Sequence, residues 1–305
     1  MTTQSYQFDT LPFINIENYK IDDITQTQFD YFLQQVNAHF KYVIQQRLDW
    51  LITALDYKIG FGHLVIRFKR IEDGLFYIFR VPIYSQEQLK TAMRARRLLQ
   101  DKPYVCELIY HDEKCMIEQY IDGVEFSNKI EDNKIVRLAL ALKDLHTSIP
   151  TQGCGRINYA ANADQSNVIS HYRIALDEYW KRLQKVVDSK EFEQIVIQVE
   201  RMLEQSIQYL PCVLCHNDLW RSNILFSNDQ PILIDWDLLG SYPKESDLTF
   251  LWNARLTERQ ISVFSEVYGD LGQPEHLAWF RLVKEMGKKD GMRVNKIRTI
   301  LEFYV

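Results

Sequence analysis

A strand, a polar loop and a hairpin follow one another between residues 210 and 237, and this arrangement constrains the chain more than any other part of its sequence. Residues 210–215 are almost wholly apolar and predict a buried strand, whereas the run His-Asn-Asp-Leu-Trp-Arg-Ser-Asn at 216–223 predicts a loop. Residues 224–227 and 231–235 predict a hairpin, with Asn-Asp-Gln as its turn. The loop and the end of the hairpin should therefore gather polar side chains at one place.

Three side chains of this segment suit the transfer of a phosphoryl group, namely Asp218 and Asn223 in the loop and Asp235 at the end of the hairpin. Such a transfer needs a carboxylate that accepts the proton of the attacking hydroxyl, and hard oxygen ligands that hold Mg²⁺ against the phosphates. We predict Asp218 as the base, and Asn223 and Asp235 as the metal ligands. We expect His216 to brace the loop by hydrogen bonding. The alternative is a polar turn without chemistry, but the flanking strands and the ending Ile-Asp-Trp-Asp favour the catalytic interpretation.

The composition of the chain excludes several kinds of partner. The 305 residues are 46% hydrophobic and 25% charged, which is typical of a globular protein. A net charge of -5 predicts no basic surface for a nucleic acid, and it is compatible with a small cationic substrate. The N-terminus lacks a signal-peptide pattern, and no stretch approaches the roughly 18 apolar residues of a membrane span. We therefore expect a cytoplasmic protein with no membrane partner; the sequence carries no signal for an oligomeric state.

The five cysteines do not predict a disulfide scaffold in a chain of this length. Cys212 and Cys215 form a CxxC pair, but no second pair of cysteines or histidines completes a zinc set at usable spacing. Both residues lie in the apolar strand that precedes the loop. We therefore expect buried thiols at these two positions.

Hydrophobic periodicity divides the chain into two parts. In the first part, steps of three and four predict helices at 25–43, 48–55 and 86–100. A period of two predicts strands at 63–71, 76–81, 104–110 and 114–120. Beyond Asp122-Gly123 the predicted elements, apart from the hairpin, are mainly helices, at 133–146, 170–187, 191–209 and from about 247 onward. The expected class is α+β, with a small sheet lobe at 1–118, a hinge at 119–123 and a larger helical lobe at 124–305.

The pattern HxDxxxxN followed by Ile-Asp-Trp resembles the kinase-like small-molecule phosphotransferases, a group that includes aminoglycoside phosphotransferases and choline kinases. The resemblance covers roughly residues 57–285, and the DFG, APE and glycine-rich signatures of protein kinases are absent. It implies a two-lobed, protein-kinase-like fold that uses ATP or GTP with Mg²⁺ and phosphorylates a hydroxyl of a small molecule. It also implies that backbone groups from Glu118 to Tyr120 meet the adenine, and that Asp247 braces the catalytic loop.

The expected phosphate-binding strand departs from this family pattern. Arg80 stands where the family normally has Lys, and an arginine fork binds phosphate differently from an ammonium group. Glu87 is the only acidic candidate in the following helix that could pair with it. Gly60 and Gly62 predict either a loop that covers the nucleotide or a plain turn between strands. We expect Asp237 to support the metal site indirectly or to cap the loop that follows.

The acceptor is less constrained than the reaction. The run Asp-Trp-Asp, followed by Pro-Lys-Glu and Asp-Leu, resembles the spectinomycin-type phosphotransferases, so an aminoglycoside or aminocyclitol is the first hypothesis. The loop also resembles those of choline, ethanolamine and fructosamine kinases, so choline, ethanolamine or a sugar is the alternative, and a nucleotide-binding module without turnover is another. Counter-charges and aromatic faces for a cationic acceptor could come from Glu266, Asp270, Glu275, Glu285, Asp290, Trp252 and Trp279, and the alternative for each is a solvated surface charge or a core aromatic.

Overall fold

The computed structural model describes residues 25–59, 62–83, 86–158, 162–287 and 294–304. The chain forms two compact units, and the division does not follow the sequence order. Unit 1 contains residues 1–93 and 106–122, and unit 2 contains residues 94–105 and 123–305. The sequence predicts a single boundary near the hinge. In the structure residues 94–105, which precede that hinge, also belong to unit 2.

Unit 1 is an antiparallel sheet with two helices. Its strands are arranged in the order β1-β2-β3-β5-β4. The elements are α1 (Gln26–Tyr42), β1 (Ile52–Ile59), β2 (His63–Arg70), β3 (Phe76–Pro82), α2 (Gln86–Leu98, which continues past the boundary after Met93), β4 (Leu108–His111) and β5 (Met116–Gln119).

Local sequence explains the start and the buried face of α1. Thr25 and Gln28 form a capping box, in which each side chain bonds the backbone N–H of the other. The buried side chains of the helix recur at steps of three and four, at Phe29, Leu33, Val36 and Phe40. The predicted helix is therefore confirmed, and its apolar face joins the core of unit 1.

The helix predicted at 48–55 is wrong. The first helix continues only through a π-helical turn, Val43–Arg47, and Asp49 then takes the left-handed conformation at φ 53°. Because that conformation cannot extend a helix, the chain turns and starts β1 at Ile52. Strand β1 pairs with β2, whose predicted alternation is confirmed by three fully buried side chains on one face, Leu64, Ile66 and Phe68.

The strand predicted at 104–110 begins later than expected. The backbone of Tyr104 and Val105 contacts Leu233 of unit 2, and Tyr104 O accepts a hydrogen bond of 2.8 Å from Leu233 N. These two residues therefore leave the sheet of unit 1, and β4 starts only at Leu108.

Unit 2 is mainly helical and carries two small sheets, with strand orders β11-β10-β6 and β8-β7-β12-β9. Its strands are β6 (Val124–Glu125), β7 (Cys154–Ile157), β8 (Ala163–Gln165), β9 (Cys212–Cys215), β10 (Ile224–Ser227), β11 (Gln230–Leu233) and β12 (Gly240–Pro243). Its helices after α2 are α3 (Asp132–Ser148), α4 (Val168–Leu183), α5 (Ser189–Gln205), α6 (Glu245–Leu248), α7 (Phe250–Asn253), α8 (Glu258–Tyr268), α9 (Pro274–Gly287) and α10 (Val294–Tyr304). The predicted hairpin is confirmed as β10 and β11, with Asn228 and Asp229 at positive φ.

Strand β12 lies between β7 and β9 and leaves no room for a side chain at Gly240. A Cβ there would lie 2.5 Å from Gly155 O and 2.3 Å from the Tyr242 ring. Gly240 is also paired with Cys215, the last residue before the polar loop. This close approach therefore fixes the strand from which the loop starts.

We expect Gly240→Ala to lower the free energy of unfolding by about 2 kcal/mol, because a backbone oxygen cannot move aside as a side chain can. Urea denaturation of the full chain measures the loss. Gly269→Ala is the comparison, since a Cβ there meets no atom within 4 Å and only its positive φ of 102° opposes the change. An equal or smaller loss at Gly240 would contradict the steric explanation.

The cysteines are all free thiols, and four of them are buried. Cys215 is fully buried, as expected, and Cys212 is half-buried. Within the described ranges, no helix is both long and apolar enough to cross a membrane.

Candidate active site

The polar loop of unit 2 joins β9 to β10, and Asp247 holds its first turn. Asp247 Oδ2 accepts a hydrogen bond from His216 N at 2.8 Å, and Oδ1 accepts one from Asn217 N at 2.6 Å. Asn217 has the left-handed φ of 64°, which turns these two N–H groups toward the same carboxylate. The residue pattern suggests an Asp at a helix start, but Asp247 lies inside α6, and its carboxylate bonds the loop instead.

A buried chain of hydrogen bonds supports Asp247 from α3 and α8. His146 Nε2 lies 3.1 Å from Asp247 Oδ2, and Tyr268 OH lies 2.6 Å from His146 Nδ1. A carboxylate only accepts, so His146 donates through Nε2 and accepts from Tyr268 through Nδ1. Burial alone would raise the pKa of Asp247, but the hydrogen bond from His146 and the nearby positive charge of Lys284 hold that pKa below its ordinary value.

Asp218 is held on both carboxylate oxygens. Trp220 Nε1 donates to Asp218 Oδ1 at 2.7 Å, and Asn223 Nδ2 donates to Asp218 Oδ2 at 3.2 Å. Asn223 Nδ2 also donates to the backbone oxygen of Asp218 at 2.8 Å. These bonds fix the rotamer of the carboxylate and determine which end of the Asn223 amide faces it.

His216 connects the loop to the end of the hairpin. Its Nε2 lies 2.8 Å from Ile234 O, so Nε2 carries the proton and donates to that carbonyl. Its Nδ1 accepts a bond of 3.3 Å from Asp218 N, and its ring packs on Trp236 with centroids 4.5 Å apart. The ring therefore connects the backbone of Asp218 to Ile234, the residue before Asp235. Asp235 itself has a left-handed φ of 65°.

The electrostatics of Asp218 are those of a buried carboxylate beside a second one. Burial raises the pKa of Asp218, the nearby Asp235 raises it further, and His216, Lys284 and the bond from Trp220 oppose the increase. Lys284 reaches this region from α9, where its Nζ donates to Ser246 O at 2.7 Å. The site thus concentrates negative charge that a cation would relieve.

The donor set of this site fits Mg²⁺. Because Asn223 Nδ2 is committed to Asp218, the amide oxygen Oδ1 is the end that remains to coordinate a cation. Asp235 adds a carboxylate close enough to raise the pKa of Asp218. Hard oxygen donors and adjacent negative charge are what Mg²⁺ requires in proteins.

A cavity of about 360 Å³ adjoins the loop in unit 2, and we call it the loop pocket. Trp220, the residue that bonds Asp218, forms part of its wall, and Phe250 supplies a second aromatic ring. Its charged wall residues are one acid, Glu125, and one base, Arg221. The guanidinium of Arg221 donates to the backbone oxygen of Ala254, and both residues line the pocket.

The residues predicted to meet the nucleotide in unit 1 have the following positions. Arg80 is buried on β3, and its Nη2 lies 3.2 Å from His63 Nδ1, which must accept. Glu118 is buried on β5 and accepts from Cys106 Sγ at 3.7 Å. Tyr120 N donates to Phe76 O at 3.0 Å.

The remaining predicted residues of unit 1 are less informative. Gly62 has φ 85°, and its carbonyl accepts from Ile83 N at 2.7 Å. Gly60 lies outside the described residues. Glu87, considered as the partner of Arg80, forms an exposed ion pair with Lys90 at 2.6 Å.

The acceptor residues predicted in the helical part do not line the loop pocket. Trp279, considered either as an aromatic face for the acceptor or as a core aromatic, is 1% exposed and donates Nε1 to Val199 O, so it is a core residue. Asp270 pairs with Lys244 and Glu285 pairs with Lys296. The other candidates, Glu266, Glu275 and Trp252, lie elsewhere on unit 2, and Asp290 lies outside the described residues. Asp237 is buried in the turn Trp236–Leu238.

Sequence reasoning missed the contributions of Trp220, Ser246 and Lys284. Trp220 lies inside the motif 216–223, two residues after Asp218. An indole N–H at that spacing could have been predicted to donate to the carboxylate. Ser246 Oγ donates to Asn217 Oδ1 at 2.6 Å and thereby supports the left-handed residue of the loop. Neither Ser246 nor Lys284 carries a local signal, because only the packing of α6 and α9 brings them to the loop.

The antiparallel sheet of unit 1, the helical unit 2 and the braced loop with its paired acids define a kinase-like small-molecule phosphotransferase fold. The chain belongs to the phosphotransferase enzyme family, whose model matches residues 59–282.

Known proteins similar to this chain include a "Protein LicA homolog" of Mycoplasma capricolum, which is 23% identical over 175 residues, 57% of this chain and 65% of the relative. The two matching curated relatives are covered over only 40% and 65% of their own lengths. Choline kinase LicA from Streptococcus pneumoniae has a similar fold, with a TM-score of 0.65 and 16% identity over 88% of this chain and 98% of that one. Spectinomycin phosphotransferase APH(9)-Ia, solved with ADP and spectinomycin, gives a TM-score of 0.56 and 16% identity over 89% and 94%.

Proposed function

We propose that this protein transfers the γ-phosphoryl group of ATP to the hydroxyl of a small amino alcohol of the choline or ethanolamine type. The observation that supports this proposal most strongly concerns Trp220. Its indole donates a hydrogen bond to the carboxylate of Asp218 and also forms part of the wall of the loop pocket. Residues 219–222, which follow Asp218 directly in the chain, also line the pocket, so an acceptor bound here contacts the loop that carries the proposed base. GTP is an alternative phosphoryl donor, and the assay described below should compare ATP with GTP.

In this proposal Asp218 accepts the proton of the acceptor hydroxyl, the hydroxyl oxygen forms the new bond to phosphorus, and the bond to the bridging oxygen of ADP breaks. Asn223 and Asp235 hold Mg²⁺, which neutralises charge on the phosphates when it is bound. His216 and Asp247 hold the loop so that these groups keep their positions. Arg80, Gly60, Gly62, Glu118, Tyr120 and Asp237 retain their expected supporting or nucleotide-binding roles as part of the proposal.

The charges of the pocket favour a singly charged acceptor. An aminoglycoside carries several ammonium groups and needs several counter-charges, whereas the loop pocket offers one carboxylate, Glu125. The acidic residues expected to supply more are bound elsewhere, as the pairs of Asp270 and Glu285 with lysines illustrate. The indole of Trp220 suits a small organic cation through cation–π attraction. The names of the relatives, a choline kinase among them, support the same choice.

The test is an acceptor panel with ATP and Mg²⁺ that contains choline, ethanolamine, spectinomycin, an aminoglycoside and simple sugars, with the phosphorylated product detected by mass. Phosphocholine or phosphoethanolamine is the expected product. Phosphorylated spectinomycin alone would overturn the acceptor and retain the reaction. If no acceptor is phosphorylated and ATP is bound without turnover, the protein is a nucleotide-binding module and the proposed reaction fails.

Trp220→Phe should separate the hydrogen bond of this residue from its aromatic face. The bond from Trp220 Nε1 lowers the pKa of Asp218, so its loss raises that pKa and moves the acid limb of the pH–rate profile to higher pH. We expect kcat at neutral pH to fall about tenfold, which corresponds to the free energy of one charge-assisted hydrogen bond. The KM for the acceptor should be nearly unchanged. Trp252→Phe, outside the pocket wall, is the control. An unshifted acid limb would refute the role given to the indole.

A further inference from the structure

Unit 1 contains a second group of chemically reactive side chains, His39, Asp112 and Cys115, that the phosphotransferase site does not use. His39 lies near the end of α1, and Asp112 and Cys115 belong to the turn that joins β4 to β5. The three potential ligand atoms all lie within 4.8 Å of one another. His39 Nε2 is the common neighbour, 2.9 Å from Asp112 Oδ2 and 3.6 Å from Cys115 Sγ.

We propose that His39, Asp112 and Cys115 bind one zinc ion, which links α1 to the β4–β5 turn.

The distances suit tetrahedral zinc. Typical bonds of about 2.3 Å to sulfur and about 2.0 Å to nitrogen place those two ligand atoms about 3.6 Å apart. The observed separation of His39 Nε2 and Cys115 Sγ is 3.6 Å. The Asp112 oxygen must retreat from His39 by only about 0.4 Å to make room for the ion. Little rearrangement is therefore needed.

The surroundings hold the carboxylate in the orientation of a ligand. Asp112 Oδ1 accepts from Lys114 N at 2.8 Å and from Cys115 N at 2.9 Å. Tyr110 OH donates to Oδ2 at 3.0 Å. Such outer hydrogen bonds commonly orient the ligands of a metal in proteins.

Access and charge also favour an ion here. The side chains of His39 and Asp112 are 18% and 27% exposed, whereas Cys115 is fully buried beneath them. An ion can thus enter from solvent, and a water can complete the coordination. Burial raises the pKa of the Cys115 thiol, and Asp112 raises it further, so zinc binding would release a proton from this sulfur.

A second group of three potential ligands is equally compact, but its hydrogen bonds already give it a structural role. His146, Cys215 and Asp247 are also mutually close, but all three are buried. Both oxygens of Asp247 accept backbone N–H groups of the loop, and Cys215 Sγ donates to Tyr242 O at 3.3 Å. In unit 1 only Asp112 Oδ1 accepts from backbone, whereas Oδ2 meets side chains and two of the three residues are partly exposed.

The experiment titrates the metal-free full-length protein with Co²⁺, which reports its ligands spectroscopically. We expect one thiolate-bound Co²⁺ per chain, with visible d–d bands of four-coordinate cobalt and a thiolate-to-cobalt charge-transfer band, and loss of these bands when zinc is added. Cys115→Ser should lose the charge-transfer band, and His39→Gln should weaken binding at least about 10-fold. Cys212→Ser, in unit 2, should bind as the wild type does.

A thermal measurement keeps the proposal testable if Cys115→Ser does not fold. Excess zinc should raise the Tm of the wild type by about 5 °C and leave that of His39→Gln unchanged. The absence of a thiolate band in the wild type, its persistence in Cys115→Ser, or an equal zinc effect in His39→Gln would each overturn the site. None of these outcomes depends on phosphotransferase activity.

Discussion

Asp218→Asn should reduce kcat at least about 100-fold, because an amide cannot accept the proton of the attacking hydroxyl. The acceptor and nucleotide should still bind, since the substitution preserves the size of the side chain, although the amide keeps only one of the two oxygens that accept from Trp220 and Asn223. Steady-state kinetics with the best acceptor of the panel measures the loss. Activity within a few-fold of wild type would refute the role of Asp218 as base.

The stability of the same variant provides an internal control. A carboxyl whose pKa is raised by folding opposes the folded state above its ordinary pKa, since the native protein must then hold an unfavourable charge. Removing the charge stabilises the folded state, whereas the amide loses one of the two hydrogen bonds from Trp220 and Asn223, so we expect Tm to change little at pH 7. Asp229→Asn, on the exposed β10–β11 turn, is the matched substitution and should change neither activity nor Tm. A large fall in Tm for Asp218→Asn would mean that lost folding, not lost chemistry, explains the kinetics.

Asp247→Asn should cause the largest loss of stability among the carboxylate changes, about 3 kcal/mol. One of the two loop N–H groups that now meet a carboxylate oxygen would face an amide NH₂, and His146 would lose its charged partner. Thermal unfolding should show a fall in Tm of about 5–10 °C. Because the loop starts at this carboxylate, kcat should also fall.

The pH dependence of stability tests the same contact. A carboxyl whose pKa is lowered by folding contributes stability above its ordinary pKa of about 3.9, and this contribution is lost as the pH falls through the lowered value. The difference between wild type and Asp247→Asn should therefore shrink in strong acid. Asp56→Asn is the comparison, because Asp56 forms only an exposed pair with Arg67. Equal losses at the two positions would contradict the bracing role of Asp247.

Local patterns predicted much of the fold because they concern local structure. The capped and periodic α1 and the alternating β2 are examples, and so is the hairpin turn at Asn228 and Asp229. Strands of two to four residues, such as β6 and β12, escaped prediction because they are defined by their partners and not by a period. Tyr104 was assigned to a strand of unit 1, although its backbone pairs with Leu233.

The loop of the candidate site was predictable for a similar reason. Asp218 and Asn223 are five residues apart, and a hairpin returns Asp235 to them, so the sequence itself brings these groups together. Contacts that depend on tertiary packing could not be predicted in this way. Lys284, for example, reaches the loop from α9.

The left-handed backbone at Asn217 and Asp235 restricts how such a chain can vary over time. Both residues have a φ near 65°, which β-branched side chains almost never adopt and which glycine, asparagine and aspartate tolerate best. At position 217 all three choices remain compatible with the backbone. At position 235 only aspartate among them also supplies a charged oxygen. A substitution that relieves backbone strain at position 235, such as one to glycine, would therefore remove the proposed metal ligand. At this position the backbone preference and the proposed catalytic role favour different residues.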